Sequence, residues 1–213
     1  MSKVLVIYAH PESAKQSSSY QLYQHFLTAY TAKNPEDEII VHNVSEFMPF
    51  PLNKLSLSIF NKHFTKEALT NDEKEFNDAR QEWVNEFINA DKYVFVNPMY
   101  NLFMPAEMKS YIDVIMQAGQ TFHYNADGST TGDLHNKKAI HLQANGGNYH
   151  NELTPKDSPI DDLADKYLKM ILNMIGVTDY SAVFAEGMDK DPMHANEILA
   201  AAFDQAKLAG EKF

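Results

Sequence analysis

Along the chain, short apolar runs alternate with longer stretches in which apolar residues recur every three or four positions. This is the pattern of strands covered on both faces and linked by amphipathic helices. Lys3 to Tyr8 is a nearly continuous apolar strand, and Leu22, Tyr23, Phe26, Leu27 and Tyr30 then fall at helical spacing, with Ser18 or Ser19 placed to cap their helix. Glu38 to Val44 reads as a second strand, and Asn53 to Leu69 as an irregular or partly helical excursion. From Asp72, the positions Phe76, Ala79, Trp83, Phe87 and Ile88 mark one face of a long helix that leads into a buried-type strand, Lys92 to Val96. Pro105 suits the first turn of the next helix, which carries Met108, Ile112 and Ile115 and ends near Gly119. Thr121 to Leu134 reads as an insertion, with a small hairpin around Asn125-Ala126-Asp127-Gly128.

Lys137 to Gln143 is the fourth strand. A helix from about Ile160 presents Leu163, Tyr167, Leu168, Ile171 and Ile175 on one face and closes at Gly176; Ser181 to Ala185 and Asn196 to Lys212 give the last strand and helix. Five strands alternating with five helical segments predict an α/β fold, an open, doubly wound, five-stranded parallel sheet with helices on both faces. At 213 residues, the expectation is a single domain spanning residues 1–213.

Composition narrows the chemistry. With no cysteine there is no disulfide, thiolate nucleophile or thiol relay, so redox chemistry needs a borrowed cofactor. The net charge of -11 disfavours nucleic acid as a partner. The longest apolar run, Val4 to Ala9, is too short to cross a bilayer, so the expected location is the cytoplasm with no membrane partner. Nine histidines fall in no His-Glu-x-x-His pair and no calcium-loop pattern appears, so no metal site is expected; His25, His42 and His63 read as surface residues. Asp161, Asp162 and Asp165 complement the positive end of a helix.

In an open α/β sheet, ligands bind beyond the carboxyl ends of the strands, and three loops there carry suggestive residues. Gln16-Ser17-Ser18-Ser19 joins hydroxyls to the free N–H groups of a helix N-terminus, which suits a phosphate monoester; ordinary capping explains the serines as well. Asn97-Pro98-Met99-Tyr100-Asn101-Leu102 offers a rigid edge for a planar ring, or a plain strand-ending turn. Ala144-Asn145-Gly146-Gly147 allows close approach of backbone to a ligand, or simply a tight turn. The Walker and dinucleotide glycine fingerprints are both missing.

These residues, with Met1-Ser2-Lys3-Val4-Leu5-Val6, Pro105 and Lys109, Ala118-Gly119-Gln120-Thr121-Phe122, Gly146-Gly147-Asn148-Tyr149 and Glu186-Gly187, give the chain a close resemblance to the flavodoxin-like FMN-dependent NADH-azoreductases, also described as FMN-dependent NADH:quinone oxidoreductases. The resemblance covers nearly the whole chain and implies a flavodoxin-like fold. It implies FMN phosphate on Ser17, Ser18 and Ser19 with His10, and the isoalloxazine ring against Pro98, Met99, Tyr100, Asn101 and Leu102 on one side and Ala144, Asn145, Gly146 and Gly147 on the other. Phe122 and Tyr124 are then aromatic walls for a flat quinone or azo substrate. Four positions depart from the family's usual pattern: His10 replaces a serine or asparagine, Leu102 a phenylalanine, and Ala144-Asn145 a serine–arginine pair. These departures bear on substrate preference more than on flavin contacts, which are expected mainly from backbone.

What the resemblance implies is an enzyme passing two electrons from NADH through bound FMN to quinones and aromatic azo compounds by a ping-pong mechanism, with flavin-borne chemistry and no side-chain acid or base. It also implies a homodimer, consistent with the many aromatic residues outside the strands. The competing readings are a flavodoxin-type electron carrier that does not itself oxidise NADH and a flavin-free regulator of the same fold.

The arginine count leads to a donor preference. Discriminating the 2′-phosphate of NADPH is best done by an arginine fork, and Arg80, in mid-helix, is the only arginine in the chain. Steady-state assays with a simple quinone should give a kcat/KM for NADH at least about tenfold above that for NADPH, or ~1.4 kcal/mol. Equal use of NADPH would mean that Lys54, Lys62 or Lys66 lines the entrance and recognises the extra phosphate.

Overall fold

The structure, a computed structural model, describes residues 1–11, 16–49, 51–150 and 161–213. Five strands, β1 (Lys3–Tyr8), β2 (Glu38–Asn43), β3 (Lys92–Pro98), β6 (Lys138–Asn145) and β7 (Asp179–Glu186), form one parallel sheet in the order β2-β1-β3-β6-β7. Two short strands, β4 (Phe122–Tyr124) and β5 (Thr130–Gly132), make the antiparallel hairpin expected of the insertion. The chain runs outward from β1 to β2 and then crosses back to β3, so strand order reverses beside β1.

Alternation along the strands sorts the core into two layers. Val4, Val6 and Tyr8 of β1 share one face with Val94, Val96, Ile140 and Leu142, covered by α1 (Ser18–Lys33) and α6 (Ala195–Lys212) through Leu22, Tyr23, Phe26, Tyr30, Ala202 and Ala206. Leu5, Ile7, Tyr93 and Phe95 face the other way, against α3 (Asn71–Asn89), α4 (Ala106–Ile115) and α5 (Leu163–Met174), whose Phe87, Met108, Tyr111, Ile112, Leu168 and Leu172 close that layer. The central strands β1 and β3 are covered on both faces, which is why they read as nearly continuous apolar runs.

The structure corrects the sequence reading at several points. The residue capping α1 is Ser17, whose Oγ accepts the N–H of Tyr20 at 3.3 Å, and neither Ser18 nor Ser19 does so. The excursion after Asn53 contains a regular helix, α2 (Lys54–Thr65), closed at its start by a reciprocal Asn53/Ser56 capping box. The α-helices thus number six among the described residues, with a short 3-10 turn at Pro192–His194 before α6. Asp162 caps α5 by accepting the Asp165 N–H at 2.9 Å, as its place before an apolar stripe suggests, while Ile160 lies outside the described residues. His42 is no bare surface residue, since it pairs with Glu86 and packs on Trp83. Arg80 is buried between α3 and α4, with its guanidinium over Phe76 and 3.5 Å from the Asp113 carbonyl.

α1 and α6 approach closely because Gly210 meets the backbone of α1 where a Cβ would stand 2.3 Å from the Phe26 carbonyl oxygen. Gly210→Ala should therefore destabilise the fold by about 1–3 kcal/mol through overpacking, despite alanine's better helix propensity. Chemical denaturation of the two proteins measures the difference, and a stabilised variant would show that the helices separate freely.

Candidate functional site

Strand register gathers the three suggestive loops at one edge. Pro98 pairs with Ala144, Asn97 with Gln143 and Asn145 with Glu186, while Tyr8 ends β1 beside Val96. The turns that leave β1, β3, β6 and β7 consequently open side by side above the point of strand reversal. Between them lies a groove of about 280 Å³ lined by Ser17, Ser18, Ser19, Pro98, Met99, Ala144, Asn145, Gly146, Met188 and Asp189. Larger clefts, of about 480 Å³ between α1 and α6 and about 690 Å³ beside β7, lie away from this convergence of backbone donors.

The end of the groove at α1 gathers hydrogen-bond donors. Among the described residues no acceptor takes the N–H of Ser18 or Ser19, the first donors of the helix. Their side chains gather there too, with Ser17 Oγ and Ser19 Oγ 3.4 Å apart and Ser19 fully buried. Two further polar atoms close by, Tyr8 Oη and His10 Nδ1, are buried with no hydrogen-bond partner among the described residues. Burial pushes the Tyr8 phenol up to about 12, only partly offset by the neighbouring Ser17 hydroxyl, so at neutral pH it keeps its proton and can donate. Burial likewise holds the His10 imidazole below its ordinary range, and its ring lies between Tyr8, stacked at 6.3 Å, and Tyr100, edge-on at 6.2 Å. Orphaned buried donors are costly, and a bound anion would satisfy them.

The opposite wall is a strained turn. Tyr100 and Phe103 exchange both backbone hydrogen bonds, at 2.8 and 3.0 Å, around Asn101 and Leu102, whose φ angles are +49° and +65°. Left-handed backbone at both central residues makes this a type I′ turn, which ordinarily takes asparagine then glycine; leucine there is strained. Tyr100 and Leu102 remain half-exposed. Across the groove, the N–H groups of Gly146 and Gly147 find no acceptor among the described residues. Neither glycine has positive φ, so it is space that excludes larger residues: a Cβ on Gly146 would stand 1.9 Å from the Asp189 carboxylate and one on Gly147 2.9 Å from the Tyr149 hydroxyl.

Of the residues singled out in the sequence, Ser17, Ser18, Ser19, Pro98, Met99, Ala144, Asn145 and Gly146 line the groove together, with His10, Tyr100, Asn101, Leu102 and Gly147 in the loops that frame it. Phe122 is placed differently, buried in the α3–α5 layer, and Tyr124 stands in solvent edge-on to it at 5.5 Å; neither lines the groove. The sequence reading missed Tyr8, Met188 and Asp189. Gly187, at φ +99°, turns the chain after β7 so that Met188 and Asp189 fold over the groove, and Asp189 N–H bonds to the Gly146 carbonyl at 3.0 Å. The Glu186-Gly187 pair was the available signal for that turn. The segment 12–15 of the first loop lies outside the described residues. Among the described residues no cluster of histidine and carboxylate side chains has the geometry of a metal site.

Residues 2–208 match the model of a family described by its flavodoxin-like fold. The chain is 38% identical over 212 residues to FMN-dependent NADH:quinone oxidoreductase 2 of Lactiplantibacillus plantarum, covering 99% of this chain and 100% of that one, and 36% identical to FMN-dependent NADH:quinone oxidoreductase 1 of Lactococcus lactis over the full length of both. Among solved structures it resembles an azoreductase from Bacillus anthracis, with a TM-score of 0.91 at 30% identity over 100% of both chains. It also resembles an FMN-dependent NADH-azoreductase of that organism in complex with FMN, with a TM-score of 0.90 at 30% identity, over 100% of this chain and 99% of the other. A parallel sheet of order β2-β1-β3-β6-β7, a family match over residues 2–208 and full-length identity above one third converge on one assignment: the chain belongs to the flavodoxin-like family of FMN-dependent NADH:quinone oxidoreductases and NADH-azoreductases.

Proposed function

We propose that this protein holds FMN in the groove above β1, β3 and β6 and uses NADH to reduce quinones and aromatic azo compounds. The observation that carries the reading is the convergence of donors that are unpaired among the described residues, with those of Ser18 and Ser19 at one end of the groove and those of Gly146 and Gly147 along its side. They match an elongated ligand with a phosphate at one end and a planar, hydrogen-bonding ring at the other. FMN, when bound, supplies the two-electron chemistry, accepting hydride from the nicotinamide and delivering electrons to the acceptor.

The chain's own part is to bind and orient. Ser17, Ser18 and Ser19, with the neutral donors of Tyr8 and His10 behind them, would hold the phosphate. Met99 to Leu102 give the ring a firm edge, because the I′ turn is closed by two backbone bonds. Gly146 and Gly147 would offer their N–H groups to the bound ring and stabilise the negative charge that reduction brings. Donor and acceptor then use one ring face in turn, which makes the kinetics ping-pong, and no side chain need supply a proton. Part of the proposal is a cytoplasmic homodimer, supported by the exposed Phe47, Phe60, Phe64 and Tyr124, which a second copy would cover. The deciding experiment is to mix the flavin-loaded protein with NADH and then with a panel of quinones and azo dyes. Flavin reduction by NADH at catalytic rates supports the enzyme, whereas bound flavin that ignores NADH identifies an electron carrier.

Replacing Ser17, Ser18 and Ser19 together by alanine should weaken FMN binding by about 1.5–3 kcal/mol for each charge-assisted bond lost, leaving the helix N–H groups to retain some affinity. The Ser17 cap is lost as well, so circular dichroism must first establish that the variant is folded. Unchanged affinity in a fluorescence titration would put the phosphate elsewhere. Gly147→Val should push Tyr149 aside and displace the loop donors, lowering the flavin potential by about 30 mV or more, the two-electron equivalent of ~1.4 kcal/mol, and slowing NADH oxidation. A wild-type potential would remove this loop from the reaction.

A further inference from the structure

Behind the glycine loop, the polar side chains of β3, β6 and β7 form one buried chain. Asn97 donates to the Pro98 carbonyl at 3.1 Å and to Gln143 Oε1 at 3.2 Å; Gln143 donates to Asn145 Oδ1 at 3.3 Å and to Asp162. Asn145 in turn donates to the Gly147 carbonyl at 3.0 Å and to Glu186 Oε2 at 3.4 Å, while Glu186 accepts the N–H groups of Tyr149 and His150, both at 3.0 Å. The carbonyls of both groove loops are thus tied to a chain that ends on two carboxylates, Asp162 (0% exposed) and Glu186 (8%).

His150 bridges those carboxylates. Its ring lies flat on Phe184, centroids 3.7 Å apart and planes within 4°, with Nδ1 3.2 Å from Glu186 and Nε2 3.5 Å from Asp162. A neutral imidazole carries one N–H, so one of its nitrogens would confront a carboxylate lone pair; only the imidazolium has a donor for each. Two buried carboxylates without a cation between them cannot both stay ionised at low cost.

We propose that protonated His150 is a positioning residue: by neutralising Asp162 and Glu186 it locks Asn145 to Gly147 in the arrangement that turns the loop's N–H groups into the groove, so that loss of its proton loosens the loop. The consequence for cofactor affinity rests on the FMN reading; the effect on the loop does not. Among the described residues, the groups facing His150 are Asp161, Asp162 and Asp165 at the start of α5, Glu186 on β7, and Lys190 and Asp191 across the cleft that His150 also lines. Burial opposes the charged ring, but the Glu186 hydrogen bond and the charges of Asp162, Glu186 and Asp165 outweigh it and raise the His150 pKa above the ordinary 6.5. Burial also disfavours ionised Glu186, yet its bonds from His150 and from the two backbone N–H groups carry the balance and hold it below the usual carboxylate range. A raised histidine pKa gives a contribution that is complete below pH 6.5 and is lost as pH rises through the folded value.

The test follows the full chain by ¹⁵N–¹H NMR without flavin from pH 5.5 to 9.5. The His150 ring should titrate above 6.5, and the Gly146 and Gly147 amide signals should move with the same midpoint. In parallel, FMN affinity is measured between pH 7 and 9 for the wild type, His150→Gln and His150→Lys. Wild-type Kd should rise about tenfold more than that of His150→Gln, which corresponds to about one pKa unit between flavin-free and flavin-bound protein. His150→Lys, charged throughout this range, should keep tight binding at pH 9. Gly146 and Gly147 amides indifferent to the His150 titration, a His150 midpoint below 6.5, or the same pH dependence in wild type and His150→Gln would overturn the proposal. Should the wild type bind no FMN at any pH, the proposed function fails while the NMR titration still decides the role of His150.

Discussion

Everything at the groove follows from one constraint: a parallel sheet covered by helices on both faces leaves its backbone donors and acceptors no water to turn to. Along the interior strands β1, β3 and β6 each group is satisfied by a neighbouring strand, and N–H groups come free where those strands end. Because β1, β3, β6 and β7 run the same way and are held in register, they end on the same side. The convergence of donors from Ser18, Ser19, Gly146 and Gly147, unpaired among the described residues, is therefore a product of topology, and side chains refine it without creating it.

The two layers treat that edge differently. On the α1–α6 face, β6 stays apolar through Ile140 and Leu142 up to Ala144. On the α5 face, Ala139 is followed by His141, Gln143 and Asn145, all buried and all hydrogen-bonded: His141 joins Asp165 at 3.0 Å and Asn97 at 3.1 Å, and Tyr180 also donates to Asp165. A buried polar ladder is costly if any member is left unpaired, so each partner restricts the next, and the loops hanging from it inherit that rigidity. The N-terminal end of α5, with Asp162 and Asp165 facing the sheet, is what allows so polar a strand to be buried.

Much of this was legible in the chain. The unbroken run of Lys3 to Tyr8 and the stripe from Leu22 to Tyr30 encode local structure directly, and so do the strand-end loops, because turn residues such as Gly146-Gly147 act over short distances. What escaped depends on packing across the sequence. Asn53 to Leu69 looks irregular because α2 presents only Ser56 and Ile59 as buried residues, too few to register as a stripe. Phe122 reads as a wall because nothing in its neighbourhood tells that β4 turns its ring into the core. Tyr8 is one more apolar strand residue until the fold brings its hydroxyl under Ser17, and Asp189 gains meaning only when Gly187 swings it over Gly146.

The Asn101–Leu102 turn carries a consequence for engineering. Leu102 bears two local penalties at once, a left-handed backbone and an apolar side chain 41% exposed to solvent, and replacing it with glycine would relieve both. A search for thermostable variants would settle on that change early. It would also remove the side chain that the proposed function sets beside the ring, so under that proposal selection for heat resistance and selection for catalysis pull in opposite directions at this residue.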